Sequence, residues 1–266
     1  MKHYPIGIFD SGIGGLTIAN AIKKVLPNED IIYFGDTEHL PYGEKSAEAI
    51  QNYSAKIINF LIEKKCKIVV IACNSASSVA EKNIQRISDD ISILNVIDPI
   101  IEDIATNYAK FNIGVIGTKA TIESKVYEIK LKHMCPEINV SSLSTPLLAP
   151  MIEEGFINEE ISNTIITNYL SNNKLENIDH LILACTHYPL IQNEITNYYK
   201  SNVNVIDSPN IVAKYILKKL NENQLLNDKI PTQHHFYVSN YTRSFEKSAK
   251  FFFKESIKLE EVSLFR

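Results

Sequence analysis

Short apolar runs alternate along the chain with longer amphipathic stretches. The short runs are four or five residues long and mostly rich in Ile and Val, which is typical of parallel strands covered on both faces. We predict strands at Ile6–Phe9, Ile31–Phe34, Ile68–Ile71, Ile93–Ile97, Ile113–Ile116, Val140–Leu143, Leu181–Ala184 and Val203–Ile206. We predict helices at Thr17–Leu26, Ala47–Lys64, Ser77–Ile87, Pro99–Tyr108, Thr121–His133, Glu159–Leu170, Leu190–Tyr199 and Asn210–Asn221. This alternation predicts an α/β fold with helices on both faces of parallel sheets.

The chain contains two pairs of similar segments at nearly the same separation. The segment that begins at Ile6 resembles the one that begins at Ile113, and the segment around Cys73 resembles the one around Cys185. Such repetition predicts two similar parallel-sheet α/β domains. Chance is the alternative, because strings of this kind are common in α/β proteins.

The C-terminal segment has a different pattern. We predict edge strands at His235–Val238 and Leu259–Leu264 around a helix at Arg243–Lys254. No linker rich in Pro, Gly or Ser marks a boundary, and the change near Asp98-Pro99 is the best candidate. We therefore expect a first domain of residues 1–97 plus 207–266 and a second domain of residues 98–206.

Composition excludes several classes of protein. The chain has 266 residues, of which 45% are hydrophobic and 22% charged, unlike a disordered or collagen-like chain. Its net charge of −4 and its lack of a basic block argue against a nucleic-acid partner. No apolar run approaches the ~18 residues of a membrane span, so no membrane contact is expected. The first apolar run is too short for a signal peptide, and four cysteines then suit a reducing cytoplasm.

Small, polar and ionisable residues follow the predicted strands. In open α/β sheets, ligands bind beyond the carboxyl ends of the strands. The residues at those ends are Asp10-Ser11-Gly12, Gly35-Asp36-Thr37, Cys73-Asn74-Ser75, Asp98-Pro99, Gly117-Thr118, Cys185-Thr186-His187 and Asp207-Ser208. They favour a small polar ligand over a large apolar one.

Two of the four cysteines occupy corresponding strand ends. Cys73 and Cys185 each end a strand and precede a helix, where the helix dipole favours the thiolate. Two opposed groups that each carry one proton are what inversion at a carbon atom requires. The alternative is a pair of buried structural cysteines. Cys66 and Cys135 lie away from the strand ends, and the absence of C-x-x-C and H-x-x-x-H spacing predicts no metal site.

The glycine-rich segment that begins at Asp10 fits no phosphate-binding motif. It suits an amino-acid ligand better, since the Asp10 carboxylate can meet an ammonium group and loop N–H groups can meet a carboxylate. A tight turn with a helix cap is the alternative. Asp10 and His187 are each candidates to assist a neighbouring thiol by proton transfer.

Six strings in order make a family resemblance visible. They are Phe9-Asp-Ser-Gly-Ile-Gly-Gly-Leu-Thr17, Gly35-Asp-Thr37 with Pro41-Tyr-Gly43, Ala72-Cys-Asn-Ser-Ala76, Gly117-Thr-Lys-Ala-Thr121, Thr145-Pro-Leu-Leu148 and Ala184-Cys-Thr-His-Tyr-Pro189. Together they closely resemble the glutamate racemases of the aspartate/glutamate racemase superfamily. The resemblance implies a cytoplasmic, cofactor-independent isomerase that interconverts L- and D-glutamate in a cleft between two domains. It further implies a homodimer that supplies D-glutamate for peptidoglycan, and thus for cell-wall biogenesis and cell shape.

The same resemblance implies roles for individual residues. Cys73 matches the base that acts on D-glutamate and Cys185 the base that acts on L-glutamate, while Asp10 and His187 match the assisting groups. The implied substrate contacts are Asp10, Ser11, Pro41, Tyr42, Gly43, Asn74, Ser75, Thr118, Thr121, Cys185 and Thr186. Glu153 and Asp36 match possible additional acids. Ser75 stands where the family usually has Thr, which keeps the hydroxyl and removes a methyl group.

Three other functions remain open. An aspartate racemase, or another racemase of the same superfamily, would use the same pair of thiols on a different carboxylate. A binding protein would close two lobes on an amino acid without reacting with it. A thiol oxidoreductase is disfavoured because the chain has no C-x-x-C motif.

Overall fold

The computed structural model describes residues 1–84, 87, 91–229 and 233–265, with residues 80–84 described by their backbone alone. Within these ranges the strands are β1 (Ile6–Asp10), β2 (Ile31–Gly35), β3 (Ile68–Ile71), β4 (Ser92–Asn95), β5 (Asn112–Gly117), β6 (Asn139–Ser144), β7 (His180–Ala184), β8 (Asn204–Val205), β9 (His235–Val238) and β10 (Leu259–Glu261). The helices are α1 (Leu16–Val25), α2 (Ala47–Glu63), α3 (Asn74–Ile84), α4 (Asp98–Asn107), α5 (Lys119–Glu123), α6 (Val126–Met134), α7 (Leu148–Glu153), α8 (Glu160–Leu170), α9 (Gln192–Tyr198), α10 (Ser208–Glu222) and α11 (Arg243–Phe253).

The strands form two sheets in which every described pairing is parallel. The first sheet has the order β10-β9-β2-β1-β3-β4, and the second has the order β6-β5-β7-β8. The order β2-β1-β3-β4 in the first sheet is therefore repeated as β6-β5-β7-β8 in the second. This repetition confirms the predicted pair of similar parallel-sheet α/β domains.

Helices cover both faces of the first sheet, as the continuous apolar strands predict. Ile8 of β1 belongs to a core cluster that includes Ile22 of α1. Its neighbour Phe9 faces the other way, into a second cluster that includes Ile57 of α2. Each such fully buried side chain contributes about 1.5–3 kcal/mol. Burial on both faces leaves the ends of the strands as the place for polar side chains.

The C-terminal segment extends the first sheet beside β2, but one expectation about it was wrong. β9 (predicted as an edge strand) pairs with β2 on one side and β10 on the other. Its Phe236 and Val238 are buried, which suits an inner strand. The edge falls to β10, whose exposed Glu260 and Glu261 protect it from pairing with another chain.

Several predicted elements differ in extent. The predicted helix Thr121–His133 is divided into α5 and α6, because Lys125 adopts the left-handed conformation with φ 55°. The predicted strand Val203–Ile206 is reduced to Asn204–Val205, and α7 was not predicted. The helix predicted at Ser77–Ile87 begins earlier, at Asn74, and residues 85–86 lie outside the described residues. No helix in the described ranges combines the length and apolar character needed to cross a membrane.

Candidate active site

A cavity of about 240 Å³ lies at the carboxyl ends of strands from both sheets. Its walls come from the segments that follow β1, β2 and β3 in the first sheet. The second sheet contributes Thr118 after β5, residues of α7 after β6, and the end of β7 with the loop that follows it. The lining residues are Ser11, Leu40, Pro41, Tyr42, Gly43, Cys73, Asn74, Ser75, Thr118, Ala149, Pro150, Glu153, Ala184, Cys185, Thr186 and His187. This position between two sheets agrees with the rule for ligand sites in open α/β folds.

Cys73 lies between the end of β3 and the first residue of α3. Its Sγ accepts a hydrogen bond from the Ala76 backbone N–H at 3.4 Å and donates to Ser11 Oγ at 3.6 Å. Burial and, to a lesser degree, the nearby Asp10 carboxylate raise the pKa of this thiol to about 12. Burial therefore favours the neutral thiol.

Cys185 occupies the equivalent place after β7 and has a different neighbour. Its Sγ lies 3.7 Å from His187 Nδ1, and His187 Nε2 lies 2.8 Å from Glu153 Oε1. Burial works against the charged imidazolium, but the hydrogen bonds to Cys185 and Glu153 hold the pKa of His187 well above its usual value. The three side chains form a relay that can hold a proton beside the Cys185 sulfur.

Asp10 lies behind the cavity wall and is fully buried. Its Oδ2 accepts a hydrogen bond from the Gly12 backbone N–H at 3.0 Å, and its Oδ1 accepts one from Thr186 Oγ1 at 3.3 Å. Burial raises its carboxyl pKa, although the charge of His187 opposes the shift. Asp10 thus joins the loop after β1 to the loop that carries Cys185.

Asp36 also lies behind the wall, where it holds the loop that follows β2. Its carboxylate accepts hydrogen bonds from Tyr42 Oη at 2.5 Å, His39 Nδ1 at 2.9 Å and Ser239 Oγ at 2.8 Å. The first of these bonds fixes the side chain of Tyr42, a residue that lines the cavity. The structure therefore gives Asp36 contacts that position the loop.

The parts of the chain that form the first and the second sheet are called the first and second halves of the molecule. Three hydroxyl groups connect these two halves on the Cys73 side of the cavity. Ser75 Oγ lies 2.9 Å from Thr118 Oγ1 and 3.5 Å from Thr121 Oγ1. Thr118 and Thr121 are themselves 3.1 Å apart, and Thr121 is buried behind the wall. Serine at position 75 thus keeps the hydroxyl contacts that a threonine would make there.

Sequence reasoning missed four residues of the lining, which are Leu40, Ala149, Pro150 and Ala184. They are apolar or small and carry no chemical signal of their own. Conversely, Asp10 and Thr121 were expected as substrate contacts and Asp36 as a possible additional acid, and none of the three is among the lining residues.

The other two cysteines lie away from the cavity. Cys66 is buried beside Gly7, and burial raises its thiol pKa to about 12. Cys135 is partly exposed, and its Sγ lies 3.9 Å from the Ala105 carbonyl oxygen. Within the described parts of the chain, no group of three or more His, Cys, Asp or Glu side chains is placed to hold a metal ion.

The chain is similar to known proteins over nearly its full length. The chain is 37% identical to a glutamate racemase of Caldanaerobacter subterraneus, over 99% of this chain and 96% of that protein. The structure matches that of glutamate racemase from Francisella tularensis in complex with D-glutamate, with a TM-score of 0.93, 39% identity and coverage of 100% and 99% of the two chains. A glutamate racemase isoform from Bacillus anthracis matches with a TM-score of 0.94 and 34% identity, over 99% of each chain.

The family model described as Asp/Glu/Hydantoin racemase matches residues 16–216, which include both cavity thiols. That match covers most of the chain, and the relatives above extend it over nearly the full length. The chain therefore belongs to the Asp/Glu/hydantoin racemase family.

Proposed function

We propose that this protein is a glutamate racemase, a cofactor-independent isomerase that interconverts L- and D-glutamate. One observation carries the proposal: thiols from equivalent strand ends of two similar sheets, Cys73 and Cys185, line a single small cavity. The relatives that match nearly the full chain are glutamate racemases, and one of them has been solved with D-glutamate.

The two thiols carry out the inversion. One thiolate removes the α-proton from one face of the amino acid, and the other thiol delivers a proton to the opposite face. Because the pKa of Cys73 is raised to about 12, its thiolate needs an added positive charge to form at neutral pH. The substrate ammonium group supplies that charge when it enters, because an opposite charge nearby favours the ionised thiol.

The remaining wall recognises the substrate. Hydroxyl and amide groups that can contact its carboxylates are carried by Ser11, Asn74, Ser75, Thr118 and Thr186, and Pro41, Tyr42 and Gly43 complete this part of the wall. His187 and Glu153 hold a proton near Cys185. Asp10 acts through its contacts with the loop that carries Cys185 and through its charge near Cys73.

We also propose the organisation around this site. Residues 1–97 with 207–266 form one domain, residues 98–206 form the other, and the active site lies in the cleft between them. The protein acts as a homodimer in the cytoplasm, where its D-glutamate enters peptidoglycan precursors and so supports the cell wall and cell shape. These statements rest on the family and on the two-sheet architecture.

A racemisation assay tests the function. Purified protein is given L-glutamate, D-glutamate or L-aspartate, with chelator present and pyridoxal phosphate removed. We expect turnover of both glutamate enantiomers and much less of aspartate. Preferential turnover of aspartate would make the protein an aspartate racemase. Binding of glutamate without exchange of its α-hydrogen would make it a binding protein.

Cysteine variants test the assignment of the bases. Cys73→Ala and Cys185→Ala are expected to lose racemisation almost entirely, because a methyl group can neither give nor take a proton. Cys135→Ser is the matched control, since this thiol lies outside the cavity. Retained turnover in either alanine variant would remove that cysteine from the mechanism.

A further inference from the structure

A tyrosine between β5 and β6 of the second sheet contacts a cavity residue that follows β3 of the first sheet. Tyr127 lies on α6 and is only 3% exposed. Its hydroxyl donates a hydrogen bond of 2.7 Å to Oδ1 of Asn74. Asn74 directly follows Cys73, begins α3 and lines the cavity. Sequence analysis did not identify Tyr127, which is not itself a lining residue.

The contact determines which end of the Asn74 amide is available to a ligand. A primary amide carries an acceptor oxygen on one side and a donor nitrogen on the other. With Oδ1 engaged by Tyr127, the group left for a ligand is the Nδ2 amino group. A carboxylate can only accept hydrogen bonds, so it requires the donor end of the amide. If the amide were rotated by 180°, Oδ1 of Asn74 would face the carboxylate oxygens, and two acceptors would meet.

The Tyr127 hydroxyl retains the proton that it donates in this bond. Burial, followed by the charges of Asp98 and Cys185, raises the pKa of its hydroxyl. The phenol therefore keeps its proton at neutral pH and cannot change into an acceptor-only phenolate.

We propose that Tyr127 is a positioning residue for the racemase reaction, which orients the Asn74 amide so that its Nδ2 group faces a substrate carboxylate. The inference rests on the proposed function, because it assigns Asn74 a carboxylate ligand. Since the two residues belong to different halves, the amide is oriented only where the halves meet. Ser75 of α3 makes a second contact of this kind, since its Oγ lies 2.9 Å from Oγ1 of Thr118, which caps α5.

The test compares Tyr127→Phe with Asn74→Ala and with the double variant. Tyr127→Phe keeps the buried ring and removes only the hydroxyl. We expect it to raise the Kd of D-glutamate, measured by calorimetry, and the KM of both enantiomers by about fivefold to tenfold, the loss of one hydrogen bond. We expect kcat to change less than about twofold, because the carboxylate contact is the same in the ground and transition states.

The double variant separates positioning from a general structural effect. If Tyr127 acts through Asn74, the double variant binds D-glutamate no more weakly than Asn74→Ala alone. The control is Tyr199→Phe, which removes a buried hydroxyl that has no hydrogen-bond partner among the described residues, and it leaves Kd and KM unchanged. Thermal unfolding of each variant verifies that it is folded.

The affinities and rates of these variants decide whether Tyr127 positions the Asn74 amide. Additive losses in the double variant, or an unchanged Kd in Tyr127→Phe, would overturn the positioning role. A fall in kcat with an unchanged KM would also overturn it. The wild-type protein separates this inference from the proposed function: failure to racemise glutamate overturns the function alone, because Kd still tests the positioning. Failure to bind glutamate at all would overturn both.

Discussion

The two cavity thiols lie in different surroundings although their positions in the fold are equivalent. Cys73 donates to the Ser11 hydroxyl and lies near the buried Asp10 carboxylate. Cys185 instead contacts His187, which is tied to Glu153. The fold therefore supplies two similar strand ends, and their neighbours make the two thiols chemically different.

Alkylation of the free protein measures the pKa of Cys73. A thiol whose pKa is raised from 9.0 to about 12 is almost entirely protonated at pH 8. Iodoacetamide reacts with the thiolate, so we expect slow labelling of Cys73 at pH 8 and a rate that rises about tenfold per pH unit towards 12. Asp10→Asn removes a negative charge and is expected to lower this pKa and speed the labelling.

The position of each label is read by peptide mass spectrometry, and denatured protein gives the rate of an unperturbed thiol. Labelling of Cys73 in the native protein at the denatured rate would contradict the raised pKa. An unchanged rate in Asp10→Asn would show that burial alone controls this thiol.

Polar residues at strand ends could be predicted from the sequence, and their partners could not. Cys73 and Cys185 are conspicuous because each follows an apolar run that must end at the rim of a sheet. Asp36 could also be identified as a strand-end residue. Its hydrogen bond from Ser239 could not be predicted, because that residue lies more than two hundred positions away in the sequence. Leu40 and Ala149 line the cavity because of how the segments after β2 and β6 fold. An apolar side chain in the sequence does not indicate such a position.

At the scale of elements, the local pattern predicted most strands and helices. It did not predict which strands pair with one another in the sheet. Continuous apolar runs identified the strands that are buried on both faces, such as β1 and β2. The division between α5 and α6 falls at Lys125, where no Gly or Pro announces a break. The inner place of β9 depends on pairing with β2, about two hundred residues earlier.

A buried ion pair joins several elements of the first sheet. Lys67, just before β3, pairs with Glu29, just before β2, and neither side chain is more than 1% exposed. Lys67 Nζ also donates to the carbonyl oxygens of Lys2 at 2.7 Å and Leu225 at 2.8 Å. Glu29 Oε1 accepts from the Asn227 backbone N–H at 2.8 Å, so the pair fixes the segment that leads towards β9.

We expect Lys67→Met to lower the free energy of unfolding by about 3–5 kcal/mol, because it leaves the Glu29 carboxylate buried without a cation. The matched control is Lys132→Met, which breaks an exposed pair with Glu128 of 2.9 Å within one helix and should cost only about 0.3–0.5 kcal/mol. Urea unfolding followed by circular dichroism measures both. Equal losses in the two variants would mean that the buried pair does not stabilise the fold.

For the whole molecule, contacts between the two halves hold the segments that carry the thiols. Ser75, two residues after Cys73, contacts Thr118 of the second half at 2.9 Å. Thr186, directly after Cys185, receives a hydrogen bond on its carbonyl oxygen from Thr17 of the first half at 2.9 Å. Each loop that carries a thiol is thus held by the opposite half of the chain.

Gly14 lies where the halves approach most closely on the Cys185 side. A Cβ atom at this position would lie 2.5 Å from both His187 Nδ1 and Thr186 Oγ1, so one of the loops must move. We expect Gly14→Ala to lower kcat/KM by up to about 10²-fold, the effect of a displacement of about 1 Å in a catalytic group. The control is Gly12→Ala, whose Cβ would meet only Leu40 Cδ2, at 3.5 Å. A Gly14→Ala variant as active as this control would show that the loops tolerate displacement.

A cavity shared by two halves predicts that substrate and product exchange hydrogen with different thiols. The proton removed from the substrate stays on one sulfur, while the other sulfur delivers a proton that it has taken from solvent. In deuterium oxide, product formed early should therefore carry deuterium, and recovered substrate should remain largely protiated. Mass spectrometry of the separated enantiomers at low conversion measures both. A single base that served both faces would return the original hydrogen to the product, and product of that kind would contradict separate roles for Cys73 and Cys185.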